Sequence, residues 1–329
     1  MSLIYFNIIT LFISILIIEF LKKNKNFLII YDYPDNIRKI HKRPIPLIGG
    51  PIIFIHQFIL LGFMLLSFNY KLKLVIILFL LFFIFFLIGF LDDKNSISPL
   101  KKTILIFSIL FIVLPIDQNL VVKNLEFKDI EINILLNQGS IFFTIFCFYF
   151  FFNLLNFSDG INGLTVLISI FWVIIFIIFS KFNFFYLISF LICLFIVLVY
   201  NLKNDLFLGN SGSALLSVIL SCLFISEYNN NKTLLCDEIF LLMFVPAIDA
   251  GRVSIERAMR GQSPFKADNI HLHHLLLNKL SHIYTLIVYI ALTILPFIIS
   301  CFGLKTYYAF FISLALYILI IIYFKKNSL

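Results

Sequence analysis

A chain that returns again and again to long, nearly uncharged apolar runs has few folds open to it. Eleven such runs cover residues 3–20, 47–66, 74–91, 103–116, 141–157, 163–180, 184–200, 211–226, 238–250, 283–303 and 306–324. An α-helix needs about 17 to 25 apolar residues to cross ~30 Å of hydrocarbon, so each run reads as a membrane-spanning helix, the fourth and ninth being the shortest. A soluble domain is excluded, because charged residues make up only 13% of the 329 and 62% are hydrophobic, too little polar surface to face water. The predicted fold is an all-α polytopic membrane protein of about eleven transmembrane helices, a single integral membrane domain over residues 1–329 without repeats.

The charges set an orientation. The first run carries no basic residue before it and Lys22, Lys23 and Lys25 after it, the reverse of a secretory signal. It is expected to stay as an anchor with the N-terminus outside, which places the C-terminus in the cytoplasm. Alternation then puts linkers 21–46, 92–102, 158–162, 201–210 and 251–282 on one face with the C-terminal tail. That face holds 18 of the 25 Lys and Arg and the other holds 7. The positive-inside rule makes the crowded face cytoplasmic, and nearly every polar cluster suited to chemistry falls on it. On the other face, LEFKDIEINI within 117–139 alternates with the period of a strand and predicts a small hairpin.

Cysteine chemistry is not indicated. Cys147, Cys193, Cys222, Cys236 and Cys301 lack CxxC or Cys/His spacing, and four lie in or at the ends of apolar runs, where they behave as small hydrophobes.

Five clusters remain. IGFLDDKNSISPLKK, residues 88–102, sets Asp92 and Asp93 side by side at the end of an apolar run. Such a pair is either a solvated helix end beside Lys94, Lys101 and Lys102, or a set of hard oxygen ligands suited to Mg²⁺. NLLNFSDGINGL, residues 153–164, repeats Asn153, Asn156 and Asp159 at a spacing that shares one helix face, and its glycines permit a tight turn. LGNSGSALL, residues 208–216, reads as a helix start, with a cap at Asn210 or Ser211 or free N–H groups for an anion. DNIHLHHLLLNKL places His271, His273 and His274 after Arg252, Arg257, Arg260 and Lys266; without HExxH or a nearby cysteine, phosphate oxygens suit these imidazoles better than zinc. DNIRKIHKRPIPLIGGP, residues 35–51, groups Arg38, Lys39, His41, Lys42 and Arg43 before a Pro and Gly turn, either a basic flank or an anion-binding turn.

Taken in order, these clusters resemble the motifs of the polyprenyl-phosphate N-acetylhexosamine-1-phosphate transferase family over essentially the whole chain. RKIHKRPIPLIGG is similar to the family's first cytoplasmic loop, GFLDDKNSISPLKK to its aspartate-pair loop with Lys102 at the motif lysine, and NLLNFSDGINGL to its Asn/Asp loop. FLGNSGS is similar to its metal loop and SPFKADNIHLHHLLL to its histidine loop. The HLHH form resembles enzymes that begin O-antigen, enterobacterial common antigen or teichoic-acid linkage units. Two positions depart from the pattern: Asn210 stands where the family has a metal-binding Asp, and Asn162 where many relatives have Asp.

The resemblance implies transfer of an N-acetylhexosamine-1-phosphate, with N-acetylglucosamine or a derivative as the favoured sugar, from a UDP-sugar to undecaprenyl phosphate. UMP is released and a cell-envelope glycan is begun. It implies Mg²⁺, replaceable by Mn²⁺, at Asp93, Asp159 and Asn210, and catalytic roles for Asp92, Asp93, His271, His273 and His274. Substrate contacts are implied for Arg38, His41, Lys102, Asn153, Asn156 and Asn201. The expected partners are a UDP-N-acetyl sugar, undecaprenyl phosphate, membrane lipids and a second copy in a homodimer, with no nucleic acid. The expected location is the bacterial inner membrane, with the active site facing the cytoplasm. Two competing readings are a catalytically altered relative, which Asn210 keeps open, and a non-enzymatic lipid-linked sugar transporter, against which the position of the acids at one surface speaks. A CDP-alcohol phosphotransferase would carry a DGxxAR motif, which is missing.

Overall fold

The computed structural model of the chain describes residues 3–23, 30–34, 43–68, 70–130, 132–265 and 268–326. Its helices are α1 (Leu3–Lys23), α2 (Gly49–Ser67), α3 (Leu72–Lys94), α4 (Pro99–Val113), α5 (Ser140–Ser158), α6 (Leu164–Phe179) and α7 (Phe184–Leu202). They continue with α8 (Gly209–Asn230), α9 (Cys236–Leu242), α10 (Phe244–Met259), α11 (Leu272–Leu277), α12 (His282–Cys301) and α13 (Thr306–Lys326). Among the described residues, eight helices are long and apolar enough to cross a membrane: α2, α3, α4 and α5 with their adjoining 3-10 turns, α7, α8, α12 and α13. Residues Tyr5–Phe20 of α1 and the whole of α6 are shorter apolar helices. The protein is thus a helical multi-pass membrane protein.

The expected span at 238–250 is different in kind. It is divided between α9 and α10, which meet at Met243, and α10 runs on to Met259. Pro246, in the first turn of α10, has no N–H to give the Leu242 carbonyl four residues before it, which accepts Trp172 Nε1 at 3.1 Å instead, so the proline favours a fresh helix start. Beyond it Asp249, Arg252, Glu256 and Arg257 make α10 amphipathic, with acids and bases at i,i+3 and i,i+4 spacing.

Helix α8 is the axis of the bundle. Over its most apolar 18 residues 83% are buried, against 17% for α4 and 22% for α13, which form the rim. It packs chiefly on α3, α5 and α2. The hydroxyls of Ser217 and Ser221 donate back to the carbonyls of Ala214 and Ser217 at 2.6 and 2.8 Å, so a serine-rich helix is buried with those polar groups satisfied. Small residues bring the neighbours close. Gly89 of α3 lies directly against the backbone of Asn210 and Ser211, and Gly50 of α2 against Ser211 and Gly212, leaving no room for a Cβ at either contact.

Two pairs of short strands close the ends. Strand β1 (Tyr31–Asp32) pairs antiparallel with β2 (Ile45–Pro46), and the chain just after β2 docks on the approach to α8. Phe207 N–H donates to Pro46 O at 2.9 Å, and Gly49 and Gly50, the first N–H groups of α2, donate to the carbonyls of Phe207 and Leu208. At the opposite end of α8 the hairpin expected from alternation is present as β3 (Asn124–Glu126) paired with β4 (Asn133–Leu135). It is held by Tyr228, whose hydroxyl donates to Asn124 O and accepts Glu126 N–H, both at 2.8 Å. All five cysteines are free.

Candidate active site at one end of the bundle

Adjacent residues on a helix point about 100° apart, and Asp92 and Asp93 at the end of α3 go separate ways. Asp92 is buried and faces α4: it pairs with Lys102 Nζ at 2.5 Å and accepts the Ile97 N–H at 2.7 Å. Asp93 faces α8, where it accepts the N–H of Asn210 at 2.7 Å and of Ser211 at 3.0 Å. These are orphan donors of a helix first turn, so Asp93 caps α8 from another helix. Gly209, at φ 74°, supplies the left-handed residue that aims those N–H groups at it.

The end of α5 joins this pair. The Asn156 amide donates to Asn210 Oδ1 at 3.1 Å, and Asp159 follows one turn later, its outer edge open to the cleft. Its protein surroundings push the Asp159 carboxyl up to about 7, and the charge of Asp93 adds to the shift. Asn153 turns its amide to its own helix, donating to Tyr149 O at 2.8 Å. Asn201 is buried with both ends of its amide engaged: Oδ1 accepts the Gly163 N–H at 2.5 Å and Nδ2 donates to Leu206 O at 2.9 Å. It clamps the loop after α5 to the loop before α8, and Asn162 reinforces the clamp by donating to Asn204.

The histidine loop comes to the same place. His273 is buried, both of its ring nitrogens lack a partner, and its Nε2 rests on Gly160, where a Cβ would collide with it. Burial holds the His273 imidazole well below its usual range, and it draws His274 down to about 4, with the neighbouring imidazoles adding to both shifts. At neutral pH both are neutral rings, each with one N–H to donate. His271 sits between Asp249 and Arg257, with Phe157 of α5 at 5.7 Å from its ring.

The arginines Arg252 and Arg257 that precede the histidines are committed to acids. Arg257 grips Asp268 with two bonds of 2.9 Å, and Arg252 binds Asp249 at 2.8 Å and Glu256 at 2.7 Å. Arg38 and His41 lie outside the described residues; Arg43, at the end of that loop, pairs with Asp205 at 3.2 Å.

Asp92, Asp93, Lys102, Asn156, Asp159, Asn210 and His273 are therefore gathered where α3, α4, α5, α8 and α11 converge. Sequence reasoning passed over Asp249 and Tyr317. The i,i+3 spacing of Asp249 and Arg252 was a readable sign of the first, but nothing in the sequence tied the last helix to it.

An acid, amide and imidazole pocket at one end of a helical membrane bundle is suited to chemistry where lipid meets water. Residues 75–227 match the family model described as Glycosyl transferase family 4, the family of polyprenyl-phosphate hexosamine-1-phosphate transferases. The family's chemistry is glycosyl-1-phosphate transfer to a polyprenyl phosphate. The matched segment contains both aspartate loops and the start of α8; the histidine loop lies beyond it and reaches the site by folding. A search among curated proteins returned no match.

Proposed function

We propose that this protein transfers an N-acetylhexosamine-1-phosphate, N-acetylglucosamine-1-phosphate or a derivative, from a UDP-sugar to undecaprenyl phosphate. The observation that carries the reading is the meeting of Asp93, Asp159, Asn210 and His273 at the end of the bundle where the basic linkers lie. An oxygen of the lipid phosphate attacks the β-phosphorus; the bond from that phosphorus to the bridging oxygen breaks, and UMP leaves with the electron pair. Both reactants are anions, so alignment and charge neutralisation supply most of the rate.

Asp93, Asp159 and the Asn210 side-chain oxygen are the residues that would hold Mg²⁺, or Mn²⁺ in its place. Their chemistry fits: all are hard oxygen donors, the charge of Asp93 reaches Asp159, and no cationic side chain is paired to either among the described residues. When bound, such an ion would neutralise pyrophosphate charge. Lys102, held in place by Asp92, adds a fixed positive charge beside the cleft. A phosphate monoester has a second pKa of about 6 and is mostly dianionic at neutral pH, so the lipid phosphate needs no base to attack. Asp92, with its oxygens given to Lys102 and Ile97, is accordingly assigned to positioning Lys102. His273 and His274, as neutral N–H donors, bind phosphoryl oxygens, and Asn153 and Asn156 line the approach for the uridine end. Asn201 acts through the loop it clamps, and His271 through His273.

The same end of the bundle faces the cytoplasm of a bacterial inner membrane, on the grounds of the basic excess in its linkers. Its product would begin a cell-envelope glycan. The test is transfer of label from a panel of ³²P-labelled UDP-sugars to undecaprenyl phosphate in membranes holding the protein, with Asp159→Asn as control. Transfer from at least one UDP-N-acetyl sugar, lost in the variant, is expected; equal transfer by the variant would remove the assignment.

A further inference from the structure

Asp249 is 2% exposed and receives donors from three separate elements. Its Oδ1 accepts Arg252 Nη2 at 2.8 Å from its own helix, α10, and the Tyr317 hydroxyl at 2.7 Å from α13. Its Oδ2 takes His271 Nδ1 at 2.8 Å, and the Leu272 N–H lies 3.1 Å from both oxygens. A carboxylate offers about four acceptor sites, so this one is saturated and has nothing left for a substrate. Its partners point to a different task.

The other face of His271 fixes where its proton is. His271 Nε2 lies 3.4 Å from Arg257 Nη2, and a guanidinium is only a donor, so Nε2 must accept and the proton must sit on Nδ1, toward Asp249. Arg257 is itself immobilised by Asp268 and by the Pro264 carbonyl. The His271 ring is thus held at both edges. The His273 ring lies parallel to it within 5°, centroids 5.5 Å apart, with its own Nε2 against Gly160. A turn of the His271 ring would remove the wall against which His273 stands.

We propose that Asp249 is a positioning residue of the transfer site: through His271 it sets the ring of His273 against the Asp159–Gly160 loop, and Tyr317 makes the last helix part of the device. The kinetic arm of the test rests on the reaction proposed above; the spectroscopic arm does not.

The full chain in lipid nanodiscs, labelled with ¹⁵N-histidine, reports the tautomer, the His271 signals being those missing from His271→Gln. In the wild type the expected form carries the proton on Nδ1 with Nε2 bare. Asp249→Asn should move the His271 Nδ1 resonance, as its N–H loses an anionic acceptor, and lower kcat about 10-fold or more, the usual scale for losing an orienting partner. KM for the UDP-sugar should stay within about twofold, since no substrate contact is removed. Tyr317→Phe, which keeps the carboxylate and the fold if Asp249→Asn does not, should lower kcat in the same direction by less. A wild-type ring protonated on Nε2, an unchanged His271 spectrum in Asp249→Asn, or a rise in KM alone would overturn the proposal. If the wild type transfers no sugar phosphate, the reaction assignment fails, and the His271 spectrum of Asp249→Asn still decides whether Asp249 sets the ring.

Discussion

Asp93 and Asn210 meet backbone to side chain: the Asn210 N–H donates to the Asp93 carboxylate at 2.7 Å across the α3–α8 contact. The carboxylate therefore fastens the first turn of α8 as well as acting by its charge on Asp159. Asp93→Asn keeps one acceptor and should fold, while its transfer rate falls by about 100-fold or more, the scale of losing a group that stabilises developing charge. Asp93→Ala also loses the cap, worth about 1 kcal/mol, and should melt lower than Asp93→Asn in the same detergent. Equal melting of the two variants would show that the cap contributes nothing.

Gly89 is the reason Asp93 gets so close. One helical turn before Asp93, it lets α3 lie on the backbone of Asn210 and Ser211. Gly89→Ala sets a methyl against backbone that has nowhere to go, a strain of about 1–3 kcal/mol. Reduced thermal stability together with reduced transfer is expected, read by melting and by label transfer.

The contact between Gly160 and His273 isolates the histidine loop from the fold as a whole. In Gly160→Ala the added methyl displaces the His273 ring. Transfer should fall about tenfold or more while the melting temperature stays close to wild type, since the surrounding loop is at the surface of the cleft.

Asp159 gives the site a pH dependence whose sign is fixed. Its folded carboxyl titrates at about 7, above the 3.8 of an unperturbed Asp, so between those values the folded state holds a proton that the unfolded chain has lost. Without divalent cation, its contribution to stability should decline as pH rises from about 4 to about 7 and then level off. A cation must displace that proton, so added Mg²⁺ should raise the melting temperature more at pH 8 than at pH 6. The same increment at both values would remove Asp159 from the metal site.

Asn210→Asp tests the departure from the family pattern. The Asn156 amide donates to Asn210 Oδ1, and an Asp oxygen would accept the same bond, so the change adds charge without altering shape. Half-maximal Mg²⁺ for transfer should fall; an unchanged titration would place this side chain outside the coordination shell.

Much of this was readable in advance for a plain reason: hydrocarbon demands apolar runs of one length, so hydropathy locates most helices directly. It misjudged 238–250 because α9 and α10 are separately apolar at the join, and only Pro246 and the charges after it mark a new start. Site residues were legible as a set but not as directions. Adjacency of Asp92 and Asp93 suggested joint action, whereas helix geometry sends one to Lys102 and the other to α8. Asn201 has the composition of a ligand and the bonds of a clamp. Asp249 left a local sign in its spacing to Arg252, whereas the Tyr317 contact, across 68 positions, leaves none.

The burial of α8 has a consequence for how the protein meets its surroundings. A pocket hung from a shaft largely shielded by its neighbours is insulated from bilayer thickness, because compression or stretching is absorbed by the outer staves, α4 and α13. Changing the acyl length of the host lipid should therefore alter how those staves tilt and leave the spacing of Asp93 and Asn210 as it is.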